Sequence, residues 1–187
     1  MKNLRKISKE EFGEIQLDSA MILNKFDSKG LQAVQPQDEI CLTTGDVSIT
    51  VTPLIQNVLD DVNNVPQGLM EGVDLMGWTV TAAFTAVTST PAAIKLAVGA
   101  ATVAGDKVTG NAAVADKDFS DIWIVGKKTG GGFAVAHLLH AIGTGTTMTY
   151  GKNAKGQWSV SLTAHPSIAD DDPYAAPVEF YSTAPKQ

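Results

Sequence analysis

Positive charge is scarce in this chain. Its 187 residues include 14 Lys and Arg against 20 Asp and Glu, Arg5 is the single arginine, and the formal net charge is −6. Proteins that grip nucleic acid normally cluster Lys and Arg, because binding neutralises phosphates and releases counterions. The acidic balance and scattered lysines therefore argue against tight binding of DNA or RNA.

Cysteine and long apolar runs are scarce as well. The one thiol, Cys41, cannot form an internal disulfide. No apolar run approaches the ~18 residues that a membrane helix needs. The N-terminal MKNLRKISKEEF stays charged where a secretion signal would turn apolar. We therefore expect a chain that is made in a reducing cytoplasm and has no membrane partner.

Motifs for catalysis, phosphate binding and metal binding are also missing or incomplete. There is no G-x-S-x-G, and GKKT at 126–129 lacks the earlier glycine of a phosphate loop, because position 121 is Asp. The acidic pairs and runs at 60–61 and 170–172 lack calcium-loop spacing. The sequence thus predicts neither an enzyme nor a bound cofactor.

The pair His137 and His140 is the one pattern that suggests a metal. On a helix, the three-residue spacing would bring both imidazoles to one face, whereas on a strand it sends them to opposite faces. The glycine-rich turns on either side favour a strand. We therefore interpret both as histidines of a sheet and predict no metal site.

Residues 118–165 form the most regular part of the chain and predict an antiparallel meander. Ile122 to Val125 is apolar on both faces, as in a strand buried between two layers. Trp158, Val160, Leu162 and Ala164 alternate with polar residues, as in a half-buried strand. Further strands are predicted at 15–23, 40–52 (two, separated near Gly45), 78–87, 133–142 with a Thr-rich continuation to Tyr150, and 177–181.

The rest of the chain divides into one helix, one long loop and an arm. Thr90 as N-cap and Pro91 at the first helical position predict a helix over 90–103. Residues 54–77 predict a long loop, and residues 1–11 a flexible N-terminal arm. The remainder, 12–187, is long enough for a single domain. The predicted fold class is α+β, mainly β: an antiparallel β-sandwich or open barrel with one flanking α-helix.

Three strands share an unusual polar face, built from hydroxyl and amide side chains without charge. Threonine suits any solvated sheet face, so ordinary exposure is one explanation. The other is a neutral, hydrated wall along which a polyanion slides without being held. The residues concerned are Ser48, Thr50, Thr52, Thr79, Thr81, Thr85, Gln157, Ser159, Ser161 and Thr163.

The ordered set of segments resembles the major tail tube proteins of long-tailed, siphovirus-like bacteriophages. No single piece is diagnostic, because each is a strand with its turns, but they follow one another in the same order over most of the chain. The matching pieces are FGEIQLDSAMILNKFD at 12–27, CLTTGDVSITVTP at 41–53, NVLDDVNNVP at 57–66, MGWTVTAAFTAVT at 76–88, DFSDIWIVG at 118–126, GGFAVAHLLHAIGTG at 131–145, GQWSVSLTAHPSI at 156–168 and PVEFY at 177–181.

The resemblance implies a structural subunit that stacks as hexameric rings in a virion tail and is made in the cytoplasm of a bacterial host. The implied partners are copies of itself, tape measure and tube-terminating proteins, and DNA that passes through the lumen without specific binding. The polar face is then the candidate lumen surface. Ring-stacking candidates are the arm before Ile15 and the loop residues Asp60, Asp61, Asn63, Asn64, Val65 and Pro66.

Two alternatives remain at this point. The inner tube of a contractile tail or tail-like particle would show the same pattern. A soluble carbohydrate-binding β-sandwich is a different class, and such a module presents exposed aromatic side chains. Trp78, Trp123 and Trp158 stand at positions predicted to face inward, which favours the tube.

Overall fold

A computed structural model describes residues 8–27 and 38–183. Within these ranges the chain forms ten strands, two α-helices and two single turns of 3-10 helix. The strands are β1 Gln16–Leu23, β2 Glu39–Cys41, β3 Thr43–Asn57, β4 Val73–Ala86, β5 Ala101–Ala104, β6 Lys107–Gly110, β7 Ser120–Lys128, β8 Phe133–Thr149, β9 Gln157–Ala164 and β10 Val178–Ser182. The helices are α1 Lys9–Gly13 and α2 Pro91–Val98, and the 3-10 turns are Met70–Gly72 and Asp116–Asp118.

Eight of these strands form one antiparallel sheet that folds onto itself. Its order is β2-β1-β7-β8-β9-β4-β3, with β10 also paired to β8. The first half of β8 pairs with β7 and β10, and from Ala141 onward the strand pairs with β9. We call β2, β1, β7, β10 and the first half of β8 the first half-sheet. The second half of β8 with β9, β4 and β3 is the second half-sheet.

The main core lies between the two half-sheets. Ile22, Ile122 and Leu138 of the first half-sheet belong to the same buried cluster as Val80 and Leu162 of the second. Helix α2 adds Ala93 and Ala97 to this cluster. The structure therefore confirms the predicted fold class, a mainly antiparallel β-sandwich with a flanking helix.

The other face of the first half-sheet is also apolar. Leu23, Phe26, Val125 and Val135 form a second buried cluster there. Since Ile122 and Ile124 point into the main core, the apolar run of β7 is buried on both faces, as its sequence predicts.

The predicted loop over 54–77 is wrong in its extent. Strand β3 continues to Asn57 and β4 starts at Val73, so only residues 58–72 connect them. Pro53 conceals the continuation in the sequence, because proline normally ends a strand. It is tolerated here because β3 is an edge strand.

Two smaller boundaries also differ. Residues 9–11 of the predicted arm belong to helix α1, which continues to Gly13. Its capping box has the Ser8 hydroxyl accepting from the Glu11 N–H at 3.1 Å and the Glu11 carboxylate accepting from the Ser8 N–H at 2.9 Å. Residues 1–7 of that arm lie outside the described residues. The predicted helix over 90–103 ends at Val98, where Gly99 takes a positive φ of 80°, and residues 101–104 become β5.

Among the described residues, no helix has both the length and the apolar content that crossing a bilayer requires.

Candidate functional site

The ten polar residues predicted as wet or lumen-facing come together on the outer face of the second half-sheet. Strand pairing places Thr50 opposite Thr81, and Thr81 opposite Thr163 on its other side. The remaining members fall in neighbouring rows of the same face: Thr52 with Thr79, Ser48 and Ser161 on either side of Ala83, Thr85 with Ser159, and Gln157 at the end of β9. We call this surface the hydroxyl face.

Strand β8 contributes hydroxyl groups that the sequence did not assign to either face of the sheet. Thr147 is opposite Ser159, and Thr149 is opposite Gln157. Thr144 lies where the pairing shifts between Gly143 and Gly145, and its hydroxyl is 3.3 Å from that of Thr163. The hydroxyl face therefore spans four strands rather than three.

The hydroxyl face carries no charge at its paired positions. From the row of Thr52 and Thr79 to the row of Gln157 and Thr149, the paired positions hold Thr, Ser, Gln, Ala or Gly, except for the buried Ile142 opposite Thr163. Asp46 is the nearest carboxylate along β3, in the irregular stretch between Thr44 and Ser48. A surface of this kind offers a polyanion water and hydroxyl groups but no cation to bind.

Both outer strands of the second half-sheet have one unpaired edge. In the described part of the chain, β3 pairs with β4 alone, and residues 142–149 of β8 pair with β9 alone. Unpaired edges present rows of N–H and C=O groups that can pair with another chain. The half-sheet thus has a free strand on each side of the hydroxyl face.

A hairpin arm, residues 54–77, projects from one end of this half-sheet. Seven residues of β4, Val73 to Thr79, precede its first pair with β9 at Val80, which corresponds to roughly 23 Å of strand. The predicted ring-stacking residues 60, 61 and 63–66 all lie in the connection at its tip, and all but the half-buried Val65 are exposed.

The hairpin arm is apolar and acidic at the same time. Its carboxylates are Asp60, Asp61, Glu71 and Asp74, and the segment contains no Lys, Arg or His. Eight large apolar side chains are exposed along it: Leu54, Ile55, Val58, Val62, Met70, Val73, Leu75 and Met76. Contiguous exposed apolar surface of this kind marks an interaction site.

The two histidines of β8 engage different carboxylates. His137 stacks on Trp123, with ring centroids 3.7 Å apart, and its Nδ1 lies 3.0 Å from Glu179 Oε2. His140 has Nε2 3.1 Å from Asp170 Oδ1. Among the described residues, no group of three or more His, Cys, Asp or Glu side chains is placed to hold a metal ion. These contacts link β8 to β7 and β10 and to the loop that follows β9.

Hydrogen bonds in this region shift the acidity of three side chains. The Tyr181 hydroxyl donates to Glu179 Oε2 at 2.5 Å, and with His137 it lowers the pKa of Glu179. The same bond raises the pKa of Tyr181. The Ser167 N–H and His140 lower the pKa of Asp170. These carboxylates are therefore held in the ionised form.

The single thiol of the chain is unreactive. Cys41 is buried, and burial raises its pKa to about 12, with the nearby Glu39 adding to the shift. Since the thiolate is the nucleophile, Cys41 is inert at neutral pH in the folded chain.

The three tryptophans are all half-buried. Trp78 and Trp158 pack against the main core, as predicted, and Trp158 donates its indole N–H to Ser89 Oγ at 3.0 Å. Trp123 is different, because it packs in the second cluster on the outer side of the first half-sheet. The ring is therefore covered, although by the second cluster and not by the main core.

The solved structures that match this chain include two from gene transfer agent particles. One is a chain in the virion of a native gene transfer agent particle, with a TM-score of 0.41 and 9% identity, covering 89% of this chain and 96% of that chain. The other is a chain in the tail of an empty gene transfer agent particle with C6 symmetry, with a TM-score of 0.40 and 9% identity, covering 88% and 96%. No family model and no curated protein matches the sequence.

Proposed function

We propose that this chain is the structural subunit of a phage-type tail tube, and that copies of it close into rings around a channel for DNA. The observation that carries the proposal is the hydroxyl face, an uncharged polar surface across four strands with an unpaired edge on each side. The resemblance of the sequence segments to tail tube proteins points the same way. The role is structural rather than catalytic.

The strand count of the second half-sheet suits closure by copies of itself. Its four strands are antiparallel throughout, so β3 and β8 run in opposite directions. When copies are related by rotation about one axis, the β3 edge of each meets the β8 edge of the next in antiparallel orientation. Each ring then becomes one continuous barrel with no free edge, which removes the aggregation hazard of open strands.

Six copies give a channel of suitable width. Four strands from each would make about 24, spaced by ~4.8 Å and tilted by ~40°, which corresponds to a barrel roughly 48 Å across. Barrels of 16–18 strands already enclose an aqueous channel. In a barrel of 24 strands, the side chains on the inner wall therefore leave an open bore of roughly 35–40 Å. A DNA duplex passes through such a bore.

The chemistry of the wall suits transit rather than retention. With the hydroxyl face inward, passing phosphates meet neutral side chains and water, and the net charge of −6 discourages lasting contact. The same surface suits the tube of a non-contractile or a contractile tail. Tape measure and tube-terminating proteins would then be its other partners within the virion tail.

Assembly of the purified protein tests the proposal directly. We expect concentrated wild-type protein to form rings and tubes with six-fold symmetry in negative-stain electron micrographs. A variant with Ile49→Pro in β3 removes a strand N–H and stiffens the edge, whereas Thr50→Val keeps the strand and changes one hydroxyl. The first should fail to close rings and the second should assemble. Wild-type protein that stays monomeric at high concentration would contradict the proposal.

A further inference from the structure

The two ends of the second half-sheet differ in charge. The hairpin arm at one end carries four carboxylates and no cation. The turn between β8 and β9, residues 150–156, carries Lys152 and Lys155 and no carboxylate. Because β4 starts at the arm and its last residues pair with the start of β9, the arm and the turn lie at opposite ends of a 14-residue strand, roughly 45 Å apart.

The charged side chains at the two ends have no partner of opposite charge within the described part of their own subunit. In the part of the chain that the structure describes, Lys152, Lys155, Asp60, Asp61 and Glu71 form no ion pair, and all five are exposed. Each end also presents apolar surface, since Met70 is 80% exposed on the arm and Tyr150 is 78% exposed at the start of the turn. The distance between the two ends prevents them from meeting in one copy.

We infer that these ends bind each other between copies: the acidic, apolar hairpin arm of one subunit docks on the lysine turn of a subunit in the next ring. The inference rests on the proposed function, and it identifies the acceptor that sequence reasoning left open. Acidic groups and Met70 on one side face Lys152, Lys155 and Tyr150 on the other, so charge and apolar surface are both complementary.

The contact is head-to-tail, because two different patches of one chain meet. A heterologous contact of this kind does not close on itself along the tube axis and generates an open filament. It also fixes polarity, since an arm cannot pair with an arm without bringing carboxylates together. Stacking should therefore weaken as salt screens the opposite charges.

Charge reversal provides the test. We expect Lys152→Glu with Lys155→Glu to raise the protein concentration needed for tube formation roughly tenfold or more, because like charges then face each other. Asp60→Lys with Asp61→Lys should do the same, and a chain with all four changes should recover tubes. Lys107→Glu with Lys117→Glu is the matched control, since it changes net charge equally at sites away from both ends and should leave assembly unchanged.

The readouts are sedimentation of tubes, electron microscopy of rings and tubes, and thermal unfolding of the unassembled protein. Unfolding should not change, because all four side chains are exposed. Wild-type tubes together with normal assembly of the lysine variant would overturn this inference and leave the proposed function intact. Failure of the four-fold variant to recover would also overturn it. Absence of both rings and tubes in the wild type would instead overturn the proposed function.

Discussion

Glu179 links its neighbours by a network of hydrogen bonds. It accepts from Tyr181 on its own strand and lies beside the ring of His137 on β8. Since these contacts lower its pKa, the stabilisation they give is present above the ordinary carboxylate pKa and is lost as the pH falls through the lowered value.

We therefore expect Glu179→Gln to destabilise the fold at neutral pH and to become equivalent to wild type in acid. The carboxylate is half exposed, so solvent screening limits the difference to at most about 1 kcal/mol. Urea unfolding of both proteins between pH 3 and pH 7 measures it. Glu71→Gln, at an exposed site without an ion pair, is the control for the loss of one carboxylate. A difference between Glu179→Gln and wild type that stays constant with pH would contradict the argument.

Lys128 is a buried cation with two partners from opposite ends of the chain. Its Nζ donates to Glu14 Oε2 and to Ser182 Oγ, each at 2.6 Å. It therefore joins the end of α1 to the end of β10. A buried ammonium that loses its carboxylate keeps its desolvation cost without the compensating charge.

Glu14→Ala should for this reason destabilise the fold by about 1–3 kcal/mol in urea unfolding. Lys128→Met should cost less, because it removes the buried charge itself. In the combined variant, loss of Glu14 should have little further effect. If the loss of stability in the double variant equals the sum of the losses in the two single variants, Glu14 and Lys128 are not coupled.

Strict alternation is what made individual residues predictable from the sequence. It places Ser159, Ser161 and Thr163 on one face as soon as β9 is recognised. Thr144, Thr147 and Thr149 were missed because Gly143 and Gly145 flank a shift in pairing, which a period of two cannot describe. The spacing of Ser8 and Glu11 is that of a capping box, a sequence signal that marks the start of helix α1.

Gly143 controls the contact between β8 and helix α2. A Cβ at this position would lie 2.2 Å from the Leu96 carbonyl oxygen and 2.8 Å from that of Ala97. Backbone atoms of a helix cannot move aside cheaply, so the absence of a side chain sets how closely the helix approaches the sheet.

We expect Gly143→Ala to destabilise the fold by about 2 kcal/mol or more, because the helix must shift. Gly145→Ala is a matched control two residues away, since a Cβ there meets nothing within 4 Å. Thermal unfolding of the two variants makes the comparison. Equal small losses in both would mean that α2 relaxes without penalty.

At the scale of elements, the sequence predicted strands better than their ends. Regular alternation identified β4 and β9, a continuous apolar run identified β7, and Thr90 with Pro91 identified α2. The β5–β6 hairpin escaped because its strands are four residues long and its Gly105–Asp106 turn follows the helix closely. The hairpin arm escaped because apolar residues occur on both of its faces, which hides the period of two.

For the whole molecule, the proposed tube predicts that the hydroxyl face is enclosed on assembly. Thr81 lies at its centre, opposite both Thr50 and Thr163. We expect a biotin attached to Thr81→Cys to bind streptavidin in the monomer and to be shielded from it along the tube. The native thiol causes no background, since Cys41 is buried.

The same labelling at Ile168→Cys supplies the comparison, because Ile168 is 99% exposed in a loop outside the second half-sheet. That site should bind streptavidin before and after assembly if it lies on the outer surface. Full access to biotin at Thr81→Cys in intact tubes would place the hydroxyl face on the outside and remove the basis for a DNA channel.

The single long strand β8 has a mechanical consequence. It runs as one strand from the first half-sheet into the second, so in the proposed tube the inner wall and the outer layer of each subunit would share a covalent backbone. The two layers cannot slide over each other when a load is applied. Bending of an assembled tail would then occur at the contacts between successive rings, and each ring would move as a rigid body.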